Sequence, residues 1–296
     1  MLSILKAIFS ALFGGGAKRS EPAAHPAPAP PPPPAPPPPP PAAGSPPAPP
    51  EPSPAQPALA FVTESRVLAI MQKHGFARYY QAGGGAKFPL ESWVAELQEY
   101  LPAFEINTPN RVAAFLGQTF HESAAFTVLE ENLNWSVKTL VTLFGLSQAE
   151  AQAIATDNEA KANRVYGQGR TAQNLGNTQK GDGYKFRGRG ILQLTGRYNY
   201  TQCSKGLFAL GLIPDEETLI DNPDLLSHDP GMAVASAGWY WNSRKLNPLA
   251  DASSDTPSGL DAFHALTKKI NSAELKFDER FAFFKTAATV LSGTVS

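Results

Sequence analysis

Twenty-one of the chain's 29 prolines fall between Pro22 and Pro57, in tracts such as P-P-P-P-A-P-P-P-P-P-P. Proline holds φ at about −65° and offers no amide donor, so such a stretch runs extended and cannot enter a packed core. At about 3.1 Å per residue it reaches roughly 100 Å. The chain therefore divides into a short apolar N-terminal segment, residues 1–20, a disordered Pro/Ala-rich linker, residues 21–60, and one folded domain, residues 61–296.

The first residues, M-L-S-I-L-K-A-I-F-S-A-L-F-G-G-G, put Ser3, Lys6 and Ser10 on one side of a helix. Ile4, Leu5, Ile8, Phe9 and Leu12 lie on the other side, and glycines end the run. Three readings stay open for residues 1–16: a membrane-surface or partner-binding helix, a signal peptide, and a simple tail. The signal-peptide reading would place the protein at the cell envelope or outside it. Lys6 interrupts the apolar stretch instead of preceding it, which counts against cleavage.

Net charge is −1, and from Ala60 onward 22 basic residues face 24 acidic ones, so no nucleic-acid partner is indicated. Cys203 is the only cysteine, which excludes an internal disulfide. The five histidines show no paired spacing, so neither a metal nor another cofactor is expected. No run of eighteen apolar residues suggests a spanning helix.

Helical periodicity dominates the domain. T-E-S-R-V-L-A-I-M-Q-K-H-G opens on Thr63 as cap and stops at Gly75; P-L-E-S-W-V-A-E-L-Q-E-Y-L is a second helix. In N-T-P-N-R-V-A-A-F-L-G-Q-T-F-H-E-S, Thr108 caps, Pro109 takes the first helical position, and Val112, Phe115, Leu116, Thr119 and Phe120 form the buried stripe. Phe115, Gln118 and Glu122 share a side, so Glu122 emerges beside core-packing residues. Burial there would favour the protonated carboxyl that a general acid needs. Nine residues on, Glu131 precedes the polar turn N-L-N-W-S, whose Ser136 caps a helix closed by Gly145. Taken alone, both glutamates also fit ordinary surface positions.

A second motif spans residues 181–200, G-D-G-Y-K-F-R-G-R-G-I-L-Q-L-T-G-R-Y-N-Y. Its glycines around Tyr184, Phe186 and Ile191 predict a short, tightly bent β-hairpin. Gln193, Thr195 and Asn199 then bring neutral hydrogen-bonding groups beside aromatic rings, which suits a sugar. The glycines are not a dinucleotide-binding fingerprint, since no strand-turn-helix unit with a downstream acid surrounds them.

F-H-E-S together with Y-K-F-R-G-R-G-I-L-Q-L-T-G-R-Y-N-Y resembles glycoside hydrolase family 19, the chitinases and chitinase-like endolysins. N-R-V-Y-G, A-G-W-Y-W and L-T-K-K-I-N extend the likeness over most of residues 105–290. The resemblance implies a mainly α-helical, bilobed, lysozyme-like domain with a small β-hairpin. It implies Glu122 as general acid and Glu131 as general base, with Glu130 the fallback. It also implies Gln193, Thr195, Asn199 with its neighbour Tyr198, and Asn271 as substrate-binding residues. His121 is expected to pack and hydrogen-bond, and Arg280 to brace a carboxylate. Trp239, Tyr240 and Trp241 are expected to pack a core helix. At I-N-S-A-E, the sequence lacks the family's glycine turn after Asn271. Residues 76–100, with A-G-G-G-A-K-F, read as an insertion of this lineage.

The implied reaction is inversion, with a protonated carboxylic acid serving the glycosidic oxygen and a carboxylate on the opposite face activating water. On this reading Glu122 holds its proton and Glu131, on a polar loop, stays ionised. The expected function is hydrolysis of β-1,4 bonds in N-acetylglucosamine polymers, chitin or peptidoglycan glycan. The alternative is an inactive sugar-binding or adaptor protein that uses its proline tract for partners.

Overall fold

The computed structural model describes residues 59–293. The helix expected at residues 1–16 and the linker up to residue 58 lie outside the described residues. Leu59, placed by its sequence neighbourhood in the linker, is buried in the main core beside Val62.

Eight helices of nine or more residues carry the described chain. They are α1 (Glu64–Lys73), α2 (Leu90–Tyr100), α3 (Pro109–Ser123), α4 (Asn158–Tyr166), α5 (Arg197–Ala209), α6 (Pro230–Ser243), α7 (Pro257–Ile270) and α8 (Phe277–Leu291). Shorter helices and turns join them. Caps written into the sequence set several starts: the Thr63 hydroxyl accepts from the Arg66 amide, Thr108 from Arg111, and Thr256 from Gly259. Each such cap satisfies an amide that the first turn leaves without a partner, worth about 1 kcal/mol.

Apolar residues gather in two clusters, giving the two lobes. The larger joins α1, α2, α3, α5, α6, α7 and α8 around Trp93, Phe104, Phe115, Phe120 and Trp241. The smaller gathers Leu133, Trp135, Leu140, Tyr166 and Leu175. Helix α3 runs through the larger core, and α8 lies directly on it. A side chain at Gly117 would come within 3.1 Å of the Arg280 carbonyl and the Phe284 amide. That close crossing lets Arg280 reach the α3 side chains one turn further along.

The predicted hairpin is present only in minimal form. Residues Asp182–Lys185 form a helical turn, and Arg189 and Leu194 exchange both backbone hydrogen bonds as a single pair around a four-residue bend. The strand pattern is overridden because the Asp182 carboxylate accepts from the Gln179 amide and from Arg197, which winds residues 179–185 into a turn. Backbone bonds from Glu131 to the Gly188 carbonyl and from Gly190 to the Leu129 carbonyl fasten the segment 129–131 alongside.

Candidate active site

Glu122 sits in the last turn of α3 and is 8% exposed. Its partner comes from α8: Arg280 Nη2 donates to Glu122 Oε1 at 2.5 Å. Arg280 is fully buried, and its other donors are also used. Nη1 reaches Gln118 Oε1 at 2.9 Å, and Nε reaches the Leu275 carbonyl at 3.0 Å. Gln118 in turn donates to Thr267 Oγ1 on α7 at 2.8 Å. Three helices thus fix one carboxylate. Outside this group His121 faces Glu279, Nδ1 to Oε2 at 3.2 Å. Burial pushes the His121 imidazole below its ordinary range, and the Arg280 charge adds to that.

Glu131 is held from two other elements. Tyr166, at the end of α4, donates its hydroxyl to Oε2 at 2.9 Å, and the Gly188 amide donates to Oε1 at 2.9 Å. Burial nonetheless pushes the Glu131 carboxyl above its ordinary range. The Gly188 amide, the Tyr166 hydroxyl, Arg187 and Arg189 pull it back only in part. Tyr166 is itself fully enclosed, and burial beside the Glu131 charge raises its phenol, so it stays a donor.

Gln193 and Thr195 converge on the same place. A methyl group at Gly188 would lie 3.1 Å from Gln193 Oε1, 3.2 Å from Thr195 Oγ1 and 3.5 Å from Glu131 Cβ. Both residues are buried. Gln193 has left-handed backbone, φ 51°, its Nε2 bonded to the Gly190 carbonyl, while the Thr195 hydroxyl donates to the Gln193 carbonyl. Asn199 donates to the Thr195 carbonyl at 2.8 Å. Tyr198 beside it is 59% exposed, a free aromatic face.

Glu130 points into different company. Arg187 donates from Nε to Glu130 Oε1 at 2.6 Å and also pairs with it through Nη2. Arg189 pairs with Asp224 at 2.6 Å. Glu130 is thus committed to an ion pair. Asn271 caps the end of α7. It is 2% exposed, and its Oδ1 accepts the Leu275 amide at 3.4 Å. It thereby orders the loop whose Leu275 carbonyl receives Arg280. Trp241 is buried on α6 and donates to Asn247, while Trp239 and Tyr240 are half-buried. Burial raises the Tyr240 phenol, the Arg244 charge pulling it back in part and the Glu122 charge adding to the rise; its hydroxyl donates to the Lys269 carbonyl.

The electrostatic order expected from the sequence needs correcting. Glu122 is half of a buried ion pair instead of a carboxyl isolated among apolar groups, and Glu131, expected to sit ionised on a polar loop, is the carboxyl that burial raises. The cause lies in residues remote in sequence: Arg280 brings a charge to Glu122, and Tyr166 with Gly188 encloses Glu131. Tyr166, Gln118, Arg187 and Arg189 join the site without a local sequence pattern that names their partners. For Tyr166 a signal existed, since N-R-V-Y-G was among the motifs carrying the resemblance.

The family model described as Chitinase class I, glycoside hydrolase family 19, matches residues 101–254. A Haemophilus influenzae protein named as containing a glycosyl hydrolase family 19 domain is 34% identical over 184 residues, covering 58% of this chain and 76% of that protein. Endochitinase 1 of Gossypium hirsutum is 29% identical over 127 residues, so the chain spans 37% of that plant relative's length. Chitinase C from Streptomyces griseus HUT6037 aligns in three dimensions with a TM-score of 0.42 at 18% identity, over 78% of this chain and 93% of that one. The family model spans more than half of the residues and includes Glu122, Glu131, Gln193 and Thr195; the chain belongs to glycoside hydrolase family 19.

Proposed function

We propose that this family 19 chain is an inverting glycoside hydrolase that cleaves β-1,4 bonds of N-acetylglucosamine-containing polymers, with Glu122 as general acid and Glu131 as general base. The observation that carries the reading is the pair of glutamates in two separately built environments, with Gln193 and Thr195 beside the second. Glu122 rests as the carboxylate of its ion pair and takes up a proton before each turnover; Arg280 holds Oε1, leaving Oε2 to carry that proton to the glycosidic oxygen. As the proton leaves, the guanidinium stabilises the carboxylate that forms, which is where such a charge lowers the barrier. Enclosure makes Glu131 a stronger base for an attacking water, and the Tyr166 and Gly188 donors fix which way its oxygens face. On this reading Thr195 holds that water and Gln193 binds the sugar, with Tyr198 offering a ring on which a sugar face can stack.

Chitin and the glycan of peptidoglycan present the same linkage to such a site. Incubation with chitin oligomers and, separately, with purified peptidoglycan, followed by mass spectrometry of new reducing ends, identifies the substrate. Proton NMR of the first-formed product should show the α anomer, as inversion of a β bond requires. A β anomer would overturn the assignment of Glu131 as base, and no cleavage of either polymer would favour a sugar-binding protein.

The raised Glu131 carboxyl fixes the sign of a pH effect. The base must be ionised, so the acidic limb of kcat/KM should lie above the ordinary glutamate value of about 4.3. The Tyr166 hydroxyl favours the ionised form; Tyr166→Phe should therefore move that limb further up. A limb that stays in place would mean that another group sets it.

A further inference from the structure

Part of the region 76–100 that the family resemblance left unexplained, A-R-Y-Y-Q-A-G-G-G-A-K-F, residues 77–88, ends up against the turn that follows Glu122. Immediately after Ser123 the chain makes three successive left-handed residues, Ala124, Ala125 and Phe126, with φ of 49°, 53° and 68°. None is glycine. L-residues visit this region singly, so a run of three persists only where the surroundings impose it. The restraints are visible. Ser123 Oγ accepts the Phe126 amide, the Ala125 amide reaches the Phe120 carbonyl, and the Phe126 ring packs on Trp93 and Phe120.

The Val128 amide reaches the Ser123 carbonyl, and the Thr127 amide and hydroxyl both reach the Ala124 carbonyl. A further restraint, on the Ala125 carbonyl, comes from the segment before α2. The Tyr80 hydroxyl donates to the Ala125 carbonyl at 2.6 Å. Tyr80 is anchored by its own segment. The Ala86 amide reaches the Tyr79 carbonyl, and Gly84 lies so close to the Arg78 and Tyr79 backbone that a side chain there would come within 2.2 Å. At the far end Phe88 packs edge-on against Trp93, the ring that touches Phe126. Lys87 donates to the Ser227 carbonyl, just beyond the Asp224 that pairs with Arg189.

We propose that residues 77–88 are a strut for the left-handed turn behind the acid, and that Tyr80 is a positioning residue for Glu122. The inference rests on the reading of Glu122 as general acid. Tyr80 touches neither carboxylate; it acts by fixing the turn that ends the α3 helix one residue past Glu122.

The test uses the full chain and whichever polymer it cleaves, well below the melting midpoint of every variant. Tyr80→Phe should lower kcat about tenfold, as for small misplacements of a catalytic group, with KM held within about twofold. Glycine occupies left-handed backbone without penalty, so adding Ala125→Gly to Tyr80→Phe should restore most of the lost kcat. Restoration is the readout that a merely structural tyrosine would not give. An unchanged kcat, a rise confined to KM, or a loss that Ala125→Gly does not repair would each overturn the strut. Glu122→Gln serves as the control. Full activity in that variant sinks the hydrolase reading beneath the proposal, whereas an inactive Glu122→Gln beside a Tyr80→Phe of parental kcat sinks the strut alone.

Discussion

Glu122→Gln should reduce turnover by about three orders of magnitude while leaving oligosaccharide affinity within about twofold, the signature of losing a proton donor. The amide keeps the shape of the side chain and can still accept from Arg280 Nη2, so the sugar meets nearly the same surface. It has no proton of suitable acidity to give the leaving oxygen. Product chromatography measures the first effect and titration calorimetry with a chitin oligomer the second. Gln193→Ala should behave differently. It removes a hydrogen-bonding group beside Glu131 and, if Gln193 binds the sugar as proposed, should weaken affinity as well as rate. Glu130→Gln separates the neighbouring acids: the Glu130 carboxylate is already bound by Arg187, so activity should stay within about tenfold of the parent. A Glu122→Gln protein as active as the parent would end the assignment, and an inactive Glu130→Gln with an active Glu131→Gln would move the base to the other residue.

Local chemistry made the scaffold readable and long-range chemistry hid the electrostatics. Helix α3 announces itself through Thr108, Pro109 and a stripe at 3.6-residue spacing, and the structure starts it at Pro109 with the Thr108 hydroxyl on the Arg111 amide. The same spacing puts Gln118 and Glu122 on the inward side, where both are buried. Nothing within reach of that helix names the partner. Arg280 is 158 residues further along, and only the close crossing of α8 over Gly117 brings it to Glu122. Tyr166 reaches Glu131 across 35 residues from a helix of the smaller lobe. The hairpin reading fell short for a local reason, since the alternation of Tyr184 and Phe186 suggested a strand while Asp182, bound to Arg197, wound the same residues into a helical turn. The glycine-rich segment 77–88 carries no periodicity, and its contributions, the Tyr80 phenol on the Ala125 carbonyl, Phe88 against Trp93 and Lys87 on the Ser227 carbonyl, are all tertiary contacts.

Arg280→Met should be the most destabilising single change near the site. The guanidinium has no exposure to water and satisfies three acceptors at once: Glu122 Oε1, Gln118 Oε1 and the Leu275 carbonyl. Methionine fills much of the volume and restores none of these bonds, so a buried carboxylate is left without its counter-charge. Breaking such a pair by removing one partner costs about 3–5 kcal/mol. The loss should appear as a lower denaturant midpoint at unchanged slope, since the surface exposed on unfolding stays the same. Because part of the cost is the stranded charge of Glu122, the same substitution made in a Glu122→Gln background should cost less by at least about 1 kcal/mol. Arg280→Lys should recover only part of the loss: an ammonium is a compact point charge and cannot span the fork that reaches from α8 to Gln118 and Glu122 together. Equal costs of Arg280→Met in the two backgrounds would show that the ion pair contributes nothing to the fold. Arg280 would then stabilise the protein through Gln118 and the 271–276 loop alone.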